Sequence, residues 1–327
     1  MQNIRLTLAL EAGLSLPEQG PIAVFRPRGD TMLAPLPVDR ITAIQSFAPD
    51  AAQLKARGIK VAPREDGSFA ASVVFLPRAK DECRALIARA MAVTTGPVII
   101  DGSKTDGIES VLKDMRKRAD LAPAISKAHG KIFWCDSTDA FADWNIGPTA
   151  NKDGYITAPG VFSANGVDKA SAALVAALPA KLGRAIGDFG AGWGYLSAQV
   201  LPKHPEIETL HLVEAEAVAL DCARQNVTDP RAKFHWADVS RWQTPQLLDG
   251  VIMNPPFHTS RAADPALGQA FLQAGHSVLA PGGRLWVVAN RHLPYENTLT
   301  GLFAQVSEIG GDASFPVLEA VRPKRRV

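Results

Sequence analysis

"RAIGDFGAGWGYLSAQVL" (184–201) reads as a strand, a glycine loop and a helix in direct succession. An apolar run ends at Asp188, and Gly190, Gly192 and Gly194 then alternate with other residues before the helix begins. Glycine lets the backbone turn tightly and approach a ligand with no β-carbon in the way, and the first turn of a helix leaves N–H groups unsatisfied. Such a loop is either a cradle for a nucleotide-like cofactor or a tight turn with no ligand. Its spacing is G-x-G-x-G and not the G-x-G-x-x-G of dinucleotide sites, and no Lys-Ser/Thr pair follows to hold a triphosphate.

Outward from the loop the rhythm of a parallel sheet continues. "ETLHLVE" is a strand and "AEAVALDCARQN" a helix; "AKFHWADV", "DGVIMNPPF" and "GGRLWVVAN" are further strands, with a helix over 265–279. Glu214 ends the second strand, 26 residues after Asp188, about where a doubly wound fold sets an acid against a ribose. Asp238 closes the third strand, at the same carboxyl edge. A single strand-end acid is commonly just solvated; three of them on successive strands behind a glycine loop describe a site.

The fourth strand leaves that edge through Asn254-Pro255-Pro256-Phe257. Two prolines remove two N–H donors and fix two φ angles, so neighbouring carbonyls face a cavity without flexing. Asn254 adds a side-chain carbonyl oxygen. Rigid acceptors suit a substrate that donates, an amino group on a flat ring, with Phe257 available to stack on it.

The first half has the same alternation of strands and helices. "PIAVFRP" (21–27), "ITAIQSF" (41–47), "SVVFLP" (72–77) and "GPVIIDG" (96–102) read as strands, and 78–92 and 108–121 as helices. It has no glycine loop, no ladder of acids and no N-P-P-F. Between the halves, residues 143–166 concentrate Gly, Pro, Asn and Asp and lose all periodicity. The expected division is therefore a first domain over 1–145, a linker over 146–158 and a second domain over 159–327. Both are α/β, and two domains accord with the length of 327 residues.

Charge is nearly balanced in each half, 19 basic against 17 acidic residues up to position 150 and 16 against 16 beyond it. That excludes a generic nucleic-acid coat and makes any nucleic-acid contact local. The basic "RPKRRV" at the end reads as a solvated tail. Cys83, Cys135 and Cys222 have no paired spacing, so neither disulfides nor a metal site is expected. No apolar run approaches the roughly 18 residues of a membrane span. The expected location is the cytoplasm.

Together, "DFGAGWG", Glu214, Asp238 and "NPPFH" resemble the class I S-adenosylmethionine-dependent methyltransferases that act on exocyclic amines. "APGVFSANGVDKAS" and "GGRLWVVANRHLPYENTLTGLF" are similar to the bacterial small-subunit ribosomal RNA guanine-N2 methyltransferases. The resemblance covers roughly 70–322. It implies two tandem Rossmann-like methyltransferase domains, the first degenerate and the second a seven-stranded class I fold, with one S-adenosylmethionine per chain. It assigns Asp188, Gly190, Ala191, Gly192, Gly194, Glu214, Asp238 and Asn254 to the cofactor, with Glu214 on the ribose and Asp238 at the adenine amine. Asn254, Pro255, Pro256 and Phe257 would carry catalysis, and Phe257, His258 and Phe162 would hold the substrate. The expected partner is ribosomal RNA, within the small subunit or an assembly intermediate. Glu214 stands where the family more often has Asp, and Trp193 is bulky for such a loop. Methylation of adenine N6 or of a protein glutamine stays open, since N-P-P-[FY] serves those substrates too; so does a noncatalytic RNA-binding role.

Overall fold

The computed structural model describes residues 3–256, 265–291 and 293–324. The chain divides into two compact units, residues 1–148 with 158–160, and 149–157 with 161–327.

In the first unit, α1 (Ile4–Glu11) is capped by Asn3, whose side chain accepts from the N–H groups of Arg5 and Leu6. Then come β1 (Ile22–Phe25), β2 (Ile41–Ile44), α2 (Ala48–Ala56), β3 (Lys60–Ala62), β4 (Ala71–Phe75), α3 (Lys80–Val93), β5 (Pro97–Ser103), α4 (Ile108–Met115), β6 (Ile125–Lys127) and β7 (Gly130–Asp136). The sheet runs β3-β2-β1-β4-β5-β7-β6, parallel except that β7 is antiparallel to both its neighbours. Every residue of β1 and β2 is buried, as befits strands with a helical layer on each face.

The second unit opens with a two-stranded ribbon, β8 (Thr149–Ala150) and β9 (Ile156–Thr157). It continues through α5 (Lys169–Ala177), β10 (Ala185–Phe189), α6 (Tyr195–Val200), β11 (Thr209–Glu214), α7 (Ala217–Asn226), β12 (Ala232–Trp236), β13 (Leu248–Met253), α8 (Pro265–Val278), β14 (Leu279–Val288), α9 (Tyr295–Leu302), β15 (Phe303–Gly311) and β16 (Pro316–Pro323). Its sheet, β12-β11-β10-β13-β14-β16-β15, has the strand order of the first. Two cores cover its faces: Leu174, Ile186, Leu212 and Trp286 belong to one, and Phe189, Val251, Leu272 and Leu285 to the other.

The sequence reading placed neither α1, α2, β3, α5 nor α9, and three further features differ from it. The helix expected over 108–121 stops at Met115, where apolar residues give way to Arg116-Lys117-Arg118 and the chain turns with Arg118 N–H donating to the Met115 carbonyl. The aperiodic stretch holds a ribbon, because the Asn151 side chain accepts from the N–H groups of Asp153 and Tyr155 and closes its turn. Both sheets also end in antiparallel strands, β6 and β7 or β15 and β16, of which the edge members β6 and β15 are largely exposed and carry no unbroken apolar run.

Candidate active site

The strand β10 delivers its chain into the glycine loop, and all three glycines are left-handed, with φ of 71°, 55° and 88° at Gly190, Gly192 and Gly194. The N–H groups of Gly190 and Ala191 donate to the Val213 carbonyl at 2.9 and 3.2 Å, folding the loop over the end of β11. A β-carbon on Gly194 would stand 2.9 Å from Val227 Cγ2, so this glycine serves helix packing. One on Gly192 would meet nothing within 4 Å, so that position faces open space.

Two acids sit beneath the loop. The Glu214 carboxylate accepts from Gly192 N–H through Oε2 and from Glu216 N–H through Oε1, each at 2.8 Å. Burial raises its pKa, while these N–H groups oppose the rise. Asp188 is fully buried; its Oδ2 accepts from Ser197 Oγ at 2.6 Å, and its Oδ1 has no partner among the described residues. Burial pushes its carboxyl up to about 7. A buried carboxylate oxygen without a donor, an open cradle and a strand-end acid fit a cofactor that carries amino and hydroxyl groups.

Asn254 follows β13 directly. Its amide nitrogen donates to Asp168 Oδ2 at 3.0 Å and to Ser171 Oγ at 2.9 Å. Both amide hydrogens are thereby engaged and the side chain's orientation is fixed, leaving Oδ1 as the group able to accept. Asp168 can hold it because it is the N-cap of α5, with the same Oδ2 accepting from Ser171 N–H at 2.8 Å. Asn254, Asp168 and Ser171 line one cleft with Phe162, Gly190, Ala191 and Gly192.

The remaining expected residues fall nearby. Phe162 is 60% exposed, and its backbone carbonyl accepts from Trp193 Nε1 at 3.0 Å. Trp193 itself is buried, packed against Tyr155 and Tyr195 with ring centroids 4.9 and 5.7 Å away, so its bulk is taken up by the ribbon and α6. Asp238 lies two residues beyond β12, where its Oδ1 caps a turn by accepting from Ser240 N–H and Oγ. Pro255 is buried and Pro256 exposed; Phe257 and His258 lie outside the described residues.

Sequence reasoning missed Asp168, Ser171 and Asn226. The Asn226 side chain donates to the carbonyls of Ile156 and Trp193 and accepts from Ile156 N–H, all at 2.8 Å, tying β9 to the glycine loop. "DKAS", an acid three residues before a serine at a helix start, was the one available signal for the first two. Among the described residues no group of His, Cys, Asp and Glu could hold a metal ion, and no helix is long and apolar enough to cross a membrane.

The methyltransferase small domain family matches residues 154–319, the stretch that carries the glycine loop, both acids and Asn254. The chain belongs to that family. Among similar proteins, ribosomal RNA small subunit methyltransferase C of Shewanella loihica is 29% identical over 254 residues, 73% of each chain. Ribosomal RNA large subunit methyltransferase G of Aeromonas salmonicida is 33% identical over 168 residues, 50% of this chain and 44% of its own. Among solved structures, a T. thermophilus 16S rRNA N2 methyltransferase in complex with AdoMet and guanosine superposes with a TM-score of 0.79 at 22% identity, over 98% of this chain and 92% of that one. That likeness spans both units and shows their fold.

Proposed function

We propose that this chain transfers a methyl group from S-adenosylmethionine to the exocyclic N2 amine of a guanine in small-subunit ribosomal RNA. The observation that carries the reading is the fixed amide of Asn254, with its oxygen presented at the carboxyl edge of β13 beside the glycine loop. The names of the relatives support the substrate class.

When bound, the cofactor supplies an electrophilic methyl group. Gly190, Ala191, Gly192 and Gly194 would lie along its methionine portion, with Asp188 Oδ1 as an acceptor for the amine. Glu214 would accept from the ribose hydroxyls and Asp238 from the adenine amine. On the substrate side, Asn254 Oδ1 and the backbone at Pro255 would accept both hydrogens of the guanine amine. That draws its lone pair out of the ring and turns it toward the methyl, so acceleration comes from orientation and electrostatics. Pro255 and Pro256 keep the acceptors from flexing. Phe162, Phe257 and His258 are the side chains proposed to hold the base.

The test is incubation with radiolabelled S-adenosylmethionine and, separately, small subunits, naked 16S RNA, naked 23S RNA and release factors, followed by nucleoside analysis. Label in N2-methylguanine of 16S RNA is the expected result. Label in 23S RNA, in N6-methyladenine or in a glutamine would replace the reading with another substrate, and label nowhere would remove it.

A further inference from the structure

The first sheet has a cleft of its own at the carboxyl ends of its strands, lined by Arg5, Arg26, Arg28, Phe47, Arg78 and Asp101 among others. Because the two sheets share one strand order, register matches the two clefts residue by residue. Phe25 pairs with Ile44 and Val74 as Phe189 pairs with Val213 and Met253. Arg26 therefore stands where Gly190 stands, Gln45 where Glu214 stands, Val24 where Asp188 stands and Phe75 where Asn254 stands. Counting on along the sequence, Pro77 matches Pro256 and Arg78 falls at the position of Phe257.

The backbone of the site has been kept. Arg26 N–H donates to the Ile44 carbonyl at 2.9 Å, as Gly190 N–H does to Val213 at 2.9 Å. Phe47 N–H donates to Gln45 Oε1 at 2.9 Å, as Glu216 N–H does to Glu214 Oε1 at 2.8 Å. Arg26 even retains the left-handed turn, with φ 55°, which side chains other than glycine rarely adopt. The charge at the matched positions differs. Val24 and Gln45 replace two carboxylates, and a guanidinium replaces a glycine.

Four arginines line this cleft, and they are engaged unequally. Arg5 is committed to Asp101 at 2.5 and 3.0 Å, and Arg26 to Glu82 at 2.7 Å and Ser46 Oγ at 2.9 Å. Arg28 is 81% exposed, with Asp30 3.7 Å away and itself 77% exposed. Arg78 is exposed and makes no hydrogen bond or ion pair among the described residues. Of the other acids in the cleft, Asp50 accepts from Gly29 N–H at 2.9 Å and Asp106 from Thr105 Oγ1 at 3.5 Å. Phe47 is 38% exposed at the same cleft.

We propose that this cleft binds a nucleotide of single-stranded RNA, its phosphodiester oxygens on Arg28 and Arg78 and its base against Phe47. A guanidinium fork matches phosphate oxygens in pairs, and an aromatic face accepts any unpaired base. A cationic methyl donor finds there neither the acid for its ribose nor a carboxylate for its amine. The proposal rests on the reading that the substrate is RNA.

The experiment uses the full chain carrying Arg28→Ala with Arg78→Ala, and separately Phe47→Ala, with a short fluorescently labelled single-stranded RNA titrated over a range of salt. The arginine pair should lower RNA affinity about tenfold or more. It should also flatten the log–log salt slope by about 1.4, the share of two phosphate contacts on a single strand. Phe47→Ala should weaken binding without changing the slope. S-adenosylmethionine binding by calorimetry should match wild type in all variants, and a thermal melt of each full chain followed by circular dichroism reports folding of the first unit. RNA affinity and slope unchanged in the arginine variant would overturn the proposal. So would RNA binding that is unchanged while competition by inorganic phosphate is lost, which would mark a free-phosphate site. If wild type methylates no RNA yet the arginine variant loses RNA binding, the proposed reaction falls and this site stands. Methylation by wild type with unaltered RNA affinity in the variants gives the opposite result.

Discussion

Asn254 can offer its oxygen because its two amide hydrogens are already committed, one to Asp168 and one to Ser171. Asn254→Ala should reduce kcat on RNA by about a hundredfold or more, the scale for losing one oriented group at a reacting centre, and leave S-adenosylmethionine affinity intact by calorimetry. Asp168→Ala should lower kcat as well and cost about 1 kcal/mol of stability as a lost helix cap. Asp168→Asn keeps an oxygen in place and should recover most of both. Equal turnover in Asn254→Ala and wild type would defeat the geometry. Asp188 supports a second test. Its carboxyl is pushed up to about 7 by burial from an ordinary value of 3.8, so between those values the folded protein holds a proton that the unfolded chain has released. That contribution to stability therefore falls as pH rises through the window. Denaturant midpoints of Asp188→Asn and wild type without cofactor should diverge in favour of the variant from about pH 4 to about pH 7. Parallel curves would show the group ionised throughout. The glycines, Glu214 and Asn254 were legible in the sequence because each is a local signal at a strand end. The Asp168–Asn254 bond was not, since it joins residues 86 positions apart and its only trace is a helix cap.

At the scale of elements, the loop between β10 and α6 separates two duties that sequence spacing presents as one. Gly194 packs against Ala223 of α7 and Val227 at its C-terminal end, whereas Gly192 opens onto the cleft. Gly194→Ala should destabilise the fold by roughly 1–3 kcal/mol through a strained φ and a close contact. Gly192→Ala has only the left-handed conformation to overcome, roughly 1–2 kcal/mol. Calorimetry should reverse the ranking, with Gly192→Ala binding S-adenosylmethionine worse than Gly194→Ala at a temperature where both are folded. Equal cofactor affinities would mean that the cradle is not at Gly192. The central parallel strands were read correctly because burial on both faces makes continuous apolar runs, whereas the short, largely exposed edge strand β3 was not. The edge strands β6 and β15 escaped because an edge that faces water dilutes that pattern with charged and small residues, and β7 and β16, though mostly buried inside the sheet, were not read either.

Across the whole molecule, one strand order serves two different clefts. The glycine loop, Asp188, Glu214, Asp168 and Asn254 all lie within 161–327, so the chemistry proposed for this chain needs no side chain from the first unit. A fragment covering 149–327 should bind S-adenosylmethionine with close to full affinity and methylate RNA poorly, the deficit appearing in KM. The separate fragment 1–148 should bind none. Two cofactor equivalents per full chain in a calorimetric titration would contradict this division of labour. The tandem α/β plan was visible in the rhythm of the sequence, but the equivalence of the clefts was not. It depends on strand register, which brings Gln45 and Glu214 to matching places without any shared motif.

The clamp made by Asn226 has a consequence in covalent ageing. Its amide faces two carbonyls and one N–H, so it satisfies the ribbon and the loop only while nitrogen and oxygen keep their places. Deamidation to aspartate, an isosteric exchange of one NH₂ for O⁻, would point a negative oxygen at the carbonyls of Ile156 and Trp193. The ribbon and the cofactor loop would then be released together, and a protein otherwise intact in mass to within one unit would lose its cleft.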